Sequence, residues 1–241
     1  ARKIADEYST PDQPRFVFGS MGPGTKLATL GQVSYSELKN SYLVQARGLV
    51  RGGVDALLVE TCQDPLQIKA ALNAAIEARE EAGRDIFLQV SVTMEVTGTM
   101  LVGTEMSAAI AILDAYPLDL LSLNCATGPR EMGEHVRLLG QTCRSFIGVY
   151  PNAGLPQLVD GETVYPLGPE ELADWLVRFV KEDGVNLVGG CCGTTPEHLA
   201  AISRKMKGLE PKVRKPRGTA QVASVYSAVN LVQENSVLLV G

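Results

Sequence analysis

The sequence predicts an α/β fold built on parallel strands, and three observations lead to it. Six short, continuous apolar runs recur along the chain, the pattern of strands buried on both faces. Stretches with helical spacing of apolar residues alternate with them, most opened by a capping or proline signal. The alternation calls for right-handed crossovers between parallel neighbours. Two architectures satisfy it: a doubly wound sheet, and a (βα)8 barrel, which needs two more units than the six read here. The first residues, Ala1-Arg-Lys-Ile-Ala-Asp-Glu7, read as the last turns of a helix, which would place those two units upstream.

The first strand is expected at 16–19. Ser34 and Glu37 then form a capping-box pattern ahead of a helix with Leu38, Tyr42, Leu49 and Val50 on its apolar side and Gly52-Gly53 at its exit. A strand at 56–60 leads to Asp64-Pro65, the opening of a helix with Ile68, Leu72, Ala75 and Ile76 inward and Gly83 beyond it. A strand at 86–92 precedes a helix over 105–115 carrying Met106, Ile110 and Leu113. The run 120–124 precedes a helix beginning near Pro129, with Met132, Val136 and Leu139. After the run 146–150, Pro169 starts a helix whose face is Leu172, Trp175, Leu176, Phe179 and Val180, closed by Gly184. The last strand, 186–188, feeds a glycine-rich turn and a helix from Pro196 carrying Leu199 and Ile202.

A chain of 241 residues, 45% hydrophobic, suits one soluble domain with a sizeable core, or most of one. The net charge of −5 gives no support to a nucleic-acid partner. No apolar run is long enough to span a bilayer, and no signal peptide opens the chain. Five cysteines, two of them adjacent, do not make a disulfide framework, so a reducing, cytoplasmic setting is expected. Residues 209–218 hold Lys212, Arg214, Lys215, Arg217 and two prolines, which read as a solvated basic linker. The expected division is 1–208 for the barrel and 209–241 for the linker and the start of a following domain.

In either architecture function sits at the carboxyl ends of the strands. Those ends offer Ser20-Met21-Gly22, Glu60-Thr61, Ser91-Val92-Thr93, Asn124-Cys125, Pro151-Asn152 and Gly190-Cys191-Cys192. The two histidines, His135 and His198, fall inside helix patterns, which removes the usual general base. What remains is sulfur. Three cysteines at the ends of two strands could meet around one soft metal ion, whether zinc, copper(I) or part of an iron–sulfur cluster. Three thiolates on zinc leave one tetrahedral position open, the mark of a catalytic site, and no paired C-x-x-C motif suggests a structural one. The plain alternative is three small residues packing loops. Cys62 and Cys143 read as incidental.

The run Gly189-Gly-Cys-Cys-Gly-Thr-Thr-Pro-Glu-His198, with Leu123-Asn-Cys125 and Pro151-Asn-Ala-Gly154, resembles the zinc domain of homocysteine S-methyltransferases from about residue 15 to 207. Val59-Glu-Thr61 and Gly19-Ser-Met-Gly-Pro23 fit the same pattern less distinctively. Within the family, Pro151 to Pro156 and Tyr165-Pro-Leu167 resemble the cobalamin-dependent members, and Ser236-Val-Leu-Leu-Val-Gly241 resembles the first strand of the folate-binding barrel that follows there. The resemblance implies a (βα)8 TIM-type barrel. The family's opening Asp-Gly-Ala strand end and second strand are missing, so the chain would lack the first two βα units. It implies zinc held by Cys125, Cys191 and Cys192, and methyl transfer to the sulfur of L-homocysteine, giving methionine. Asn152 becomes a candidate for the fourth position on the metal, and Glu60 for the substrate ammonium. Methylcobalamin would be the donor, bound by another domain, and folate- and cobalamin-binding modules of the same polypeptide would be the partners, with neither nucleic acid nor membrane. Betaine or S-methylmethionine as donor, or a zinc-binding fragment without activity, are the alternatives.

Overall fold

The computed structural model describes residues 1–232, which divide into two compact units, 1–91 and 92 onward. The expected strand at 236–241 lies outside the described residues.

The first unit runs α1 (Arg2–Tyr8), β1 (Phe18–Met21), α2 (Tyr35–Arg51), β2 (Ala56–Cys62), α3 (Pro65–Ala82) and β3 (Phe87–Val92, whose last residue opens the second unit). β1 pairs in parallel with β2, Phe18 opposite Ala56 and Met21 opposite Val59, and β3 follows β2 in the strand order. The capping box of Ser34 and Glu37 starts α2, and the Asp64 side chain accepts the Leu66 amide to start α3. Gly83 ends α3 in the left-handed region, where glycine carries no Cβ penalty. α2 buries Tyr42, Leu43, Ala46 and Val50, and Leu38 and Leu49 are only half-buried, so the stripe is turned slightly from the expected one. β1 begins two residues later than expected. The Asp55 carboxylate takes the Val17 amide at 2.6 Å, which displaces the start of the ladder and leaves Phe16 exposed.

The second unit runs α4 (Met106–Leu113), β4 (Leu120–Asn124), α5 (Pro129–Thr142), β5 (Phe146–Tyr150), β6 (Gln157–Val159), β7 (Glu162–Val164), α6 (Pro169–Asp183), β8 (Leu187–Val188), α7 (Pro196–Met206), β9 (Gln221–Ala223) and β10 (Ala228–Asn230). β4 pairs in parallel with β5, ending with Asn124 beside Tyr150, and β5 pairs in parallel with β8, with Val149 beside Val188. The carboxyl ends of these three strands therefore lie side by side. β8 is one residue shorter than expected because the Asn186 side chain, not its backbone, accepts the Ile147 amide at 3.1 Å. The hairpins β6–β7 and β9–β10 were not expected from the sequence.

Two expectations are corrected here. Leu199 does not face the core: it is 52% exposed, and α7 buries His198, Ala201 and Ile202 instead. His198 Nδ1 accepts the Thr195 amide at 3.2 Å and its Nε2 donates to the Leu167 carbonyl at 2.9 Å, which draws the imidazole inward and turns Leu199 out. Nor is the basic segment simply solvated. Arg214 donates to the Cys143 carbonyl at 2.8 Å and the Ser145 carbonyl at 2.5 Å, and the Lys212 ammonium to the Glu182 carbonyl at 2.7 Å. These cations dock at the C-terminal ends of α5 and α6, where unpaired carbonyls and the helix dipole favour positive charge.

The α/β class stands. Six strands of the βα alternation are present among the described residues, two short of the eight of a (βα)8 barrel. Among the same residues no helix is long and apolar enough to cross a membrane.

Candidate metal centre

Cys125 stands one residue past β4, and Cys191 and Cys192 stand in the turn between β8 and α7. Because β4, β5 and β8 run in register, these turns converge. The three sulfurs lie within 4.8 Å of one another, and those of Cys125 and Cys192 are 3.8 Å apart. Sulfurs at about 2.3 Å from one tetrahedral zinc stand roughly 3.8 Å from each other, so the donor set fits zinc in both chemistry and spacing.

The backbone carries strain at this point. Cys125 and Ala126 both adopt left-handed conformations, with φ of 61° and 56°. Side chains rarely accept this region, and here it aims the Cys125 thiol back towards the β8 turn. The Cys191–Cys192 turn is fixed from β5. Asn152 is buried, and its Oδ1 accepts the Cys192 amide at 3.1 Å, while the Ala153 amide donates to the Cys192 carbonyl at 2.9 Å. The Cys191 amide donates to the Pro151 carbonyl at 2.9 Å. Gly193 has φ of 77°, and a Cβ there would collide with the Tyr165 ring.

Electrostatics separates the thiols. Cys191 is pushed down to about 6, first by its hydrogen bond with Cys125, against the opposing effect of burial, and further by the Asn124 side-chain amide, 3.7 Å from its sulfur, and the Cys192 amide. Cys125 is pushed up by the same bond to Cys191 and by burial. Without metal the pair therefore shares one proton, held by Cys125. Cys62 and Cys143 are buried thiols, both raised by desolvation, and stand apart from the cluster. All five cysteines are free.

The second unit thus brings together the three predicted cysteines and Asn152. In this structure Asn152 spends its side-chain oxygen on the Cys192 backbone. Glu60 belongs to the first unit. It lies at the end of β2, accepts the Ser20 hydroxyl, and precedes Thr61, which has φ of 57°. Asn124 was missed, although it is the residue beside Cys125; only its distance to Cys191 reveals its part. His198 is committed at both nitrogens, and His135 lies within α5, where burial pushes it down.

A family model described as homocysteine S-methyltransferase matches residues 1–206. The chain is 49% identical over 246 aligned residues to methionine synthase of Mycobacterium leprae and 47% identical over 241 to that of Mycobacterium tuberculosis, in each case covering 100% of this chain and 20% of the relative. It spans about a fifth of the length of these curated relatives. Among solved structures, the apo form of the homocysteine methyltransferase MmuM from Escherichia coli aligns with a TM-score of 0.67 and 25% identity, over 85% of this chain and 70% of that one. Its oxidised form aligns with a TM-score of 0.60 and 23% identity, over 85% and 66%.

Proposed function

The chain belongs to the homocysteine S-methyltransferase family, and from that premise we propose that it is the homocysteine-activating module of a methionine synthase. In this reading residues 1–208 form the homocysteine- and zinc-binding part and 209–241 lead to a further domain. One observation carries it: three sulfurs from two neighbouring strand ends, within 4.8 Å of one another, in a chain of this family.

Cys125, Cys191 and Cys192 would hold the zinc. Bound there, zinc would supply a position at which a thiol loses its proton near neutral pH, the state in which sulfur is nucleophilic. The chain's own residues do the rest. Asn152 and Ala153 grip the Cys192 backbone from both sides, so the tandem cysteines keep their spacing. The Asn124 side chain donates to the Cys191 sulfur and stabilises it as a thiolate. The Glu60 carboxylate is the group for the substrate ammonium, with Ser20 orienting it. Asn152 would also be the group to offer an oxygen to the zinc, through the same Oδ1 that accepts the Cys192 amide here. The methyl donor is methylcobalamin, brought by a separate domain, and a reducing cytoplasm keeps the thiols available.

The test is direct. The zinc-loaded full chain is incubated with L-homocysteine and free methylcobalamin, and methionine is measured. Methionine that depends on all three cysteines supports the reading. No methionine from methylcobalamin, with turnover of betaine or S-methylmethionine instead, assigns the chain to another branch of the family.

A further inference from the structure

Thr93 is the first residue after β3, and no step of the proposed chemistry uses it. β3 and β4 are neighbours in the sheet. β3 stops at Val92, and the next link to β4 is made by a side chain: the Thr93 hydroxyl donates to the Asn124 carbonyl at 3.1 Å. Both residues are buried, where a low dielectric strengthens the bond. That carbonyl belongs to the planar peptide unit joining Asn124 to Cys125, and the orientation of this unit sets φ of Cys125. Cys125 and Ala126 both sit in the left-handed region, at 61° and 56°, and neither is glycine. Such conformations persist only where the surrounding structure holds them. The far side of the turn is held as well. The Thr127 amide donates to the Cys125 carbonyl at 2.7 Å, and the Thr127 carbonyl accepts the Asn152 amide at 3.1 Å. The strained turn is thus anchored by Thr93 before it and by the Asn152 backbone after it.

We propose that Thr93 is a positioning residue for the cysteine centre: its hydroxyl fixes the Asn124–Cys125 peptide, and through it the direction of the Cys125 thiol. The inference rests on the reading of the three cysteines as metal ligands. Cys125 comes from a different strand end than the tandem pair, so its aim decides whether the third sulfur meets the other two. Groups that orient metal ligands from behind typically change metal affinity by about 10–100-fold.

The experiment compares Thr93→Val and Thr93→Ser in the full chain. Valine keeps the shape and loses the hydroxyl, whereas serine keeps the hydroxyl and loses the methyl group. Zinc affinity is read by competition with a chromophoric chelator. The geometry of the site is read from the visible d–d bands of the cobalt(II)-loaded protein. Thr93→Val is expected to bind zinc about tenfold more weakly and to change the shape of the cobalt bands, while Thr93→Ser retains both. Thr93→Ala also lacks the hydroxyl, and it takes the place of the valine variant if that one folds poorly. A loss as large with serine as with valine overturns the proposal, since it traces the effect to packing of the methyl group. Unchanged affinity and bands without the hydroxyl overturn it too. Zinc uptake by the unaltered protein that does not depend on Cys125, Cys191 and Cys192 is a different result, and it overturns the metal reading on which this one rests.

Discussion

Asn152 Oδ1 accepts the Cys192 amide at 3.1 Å across 40 residues of sequence, tying the end of β5 to the turn after β8. Asn152 is buried while Cys192 is exposed, so losing the acceptor removes one hydrogen bond, worth about 0.5–1.5 kcal/mol. Asn152→Ala is expected to weaken zinc binding by about 10–100-fold while the protein remains folded. Competition with a chromophoric chelator measures it. Unchanged affinity would show that the tandem cysteines hold their spacing without this bond.

The metal-free protein should show ordered thiol reactivity. Cys191, pushed down to about 6, is a thiolate at pH 7.5, whereas Cys125 retains its proton and Cys62 and Cys143 are buried. Alkylation followed by peptide mass mapping should label Cys191 ahead of Cys125, Cys62 and Cys143. Its rate should be flat above pH 7 and fall as pH drops through about 6, because protonation removes the nucleophile. First labelling at Cys125 would reverse the assignment of the shared proton.

Cys143 gives a stability prediction at high pH. Burial raises its thiol to about 11 from 9.0. A raised value in the folded state means stability that is complete below the unfolded value and is lost as pH climbs through the folded one. Urea unfolding should therefore show the protein losing about 2–3 kcal/mol more between pH 8.5 and pH 11 than Cys143→Ala does. Equal losses in the two proteins would place the sensitivity elsewhere.

Gly193→Ala combines two penalties, a side chain at φ of 77° and a collision with the Tyr165 ring. Strain of this kind costs about 1–3 kcal/mol. The variant should unfold at a lower temperature and bind zinc less tightly. Gly98→Ala, at φ of 83° with open space around it, isolates the backbone share. If both glycine variants behave alike, the Tyr165 contact contributes nothing.

Much of this was legible in the sequence where one local signal dominates. The runs at Leu120–Asn124 and Phe146–Tyr150 are continuous and apolar, and both strands fall where expected. Convergence of the cysteines followed from their places at strand ends, since parallel strands present their carboxyl ends together. Boundaries moved where a side chain replaced a backbone partner, as Asp55 does for Val17 and Asn186 does for Ile147. Leu199 was placed wrongly because His198 at the third helical position, drawn in by Thr195 and Leu167, sets the rotation of α7. The β6–β7 hairpin had a readable signal, Asp160-Gly161 with both residues at positive φ, the two-residue turn that matches strand twist. Docking of Arg214 on the Cys143 and Ser145 carbonyls had no signal in sequence, because it depends on where two helices end in space.

The central claim is that the three cysteines hold a zinc ion open to a substrate sulfur. Zinc-edge X-ray absorption on the zinc-loaded full chain tests it most directly. The account predicts three sulfurs and one oxygen or nitrogen around the metal alone, and four sulfurs after L-homocysteine is added. A coordination shell that L-homocysteine leaves unchanged, or one with fewer than three protein sulfurs at the outset, would contradict it.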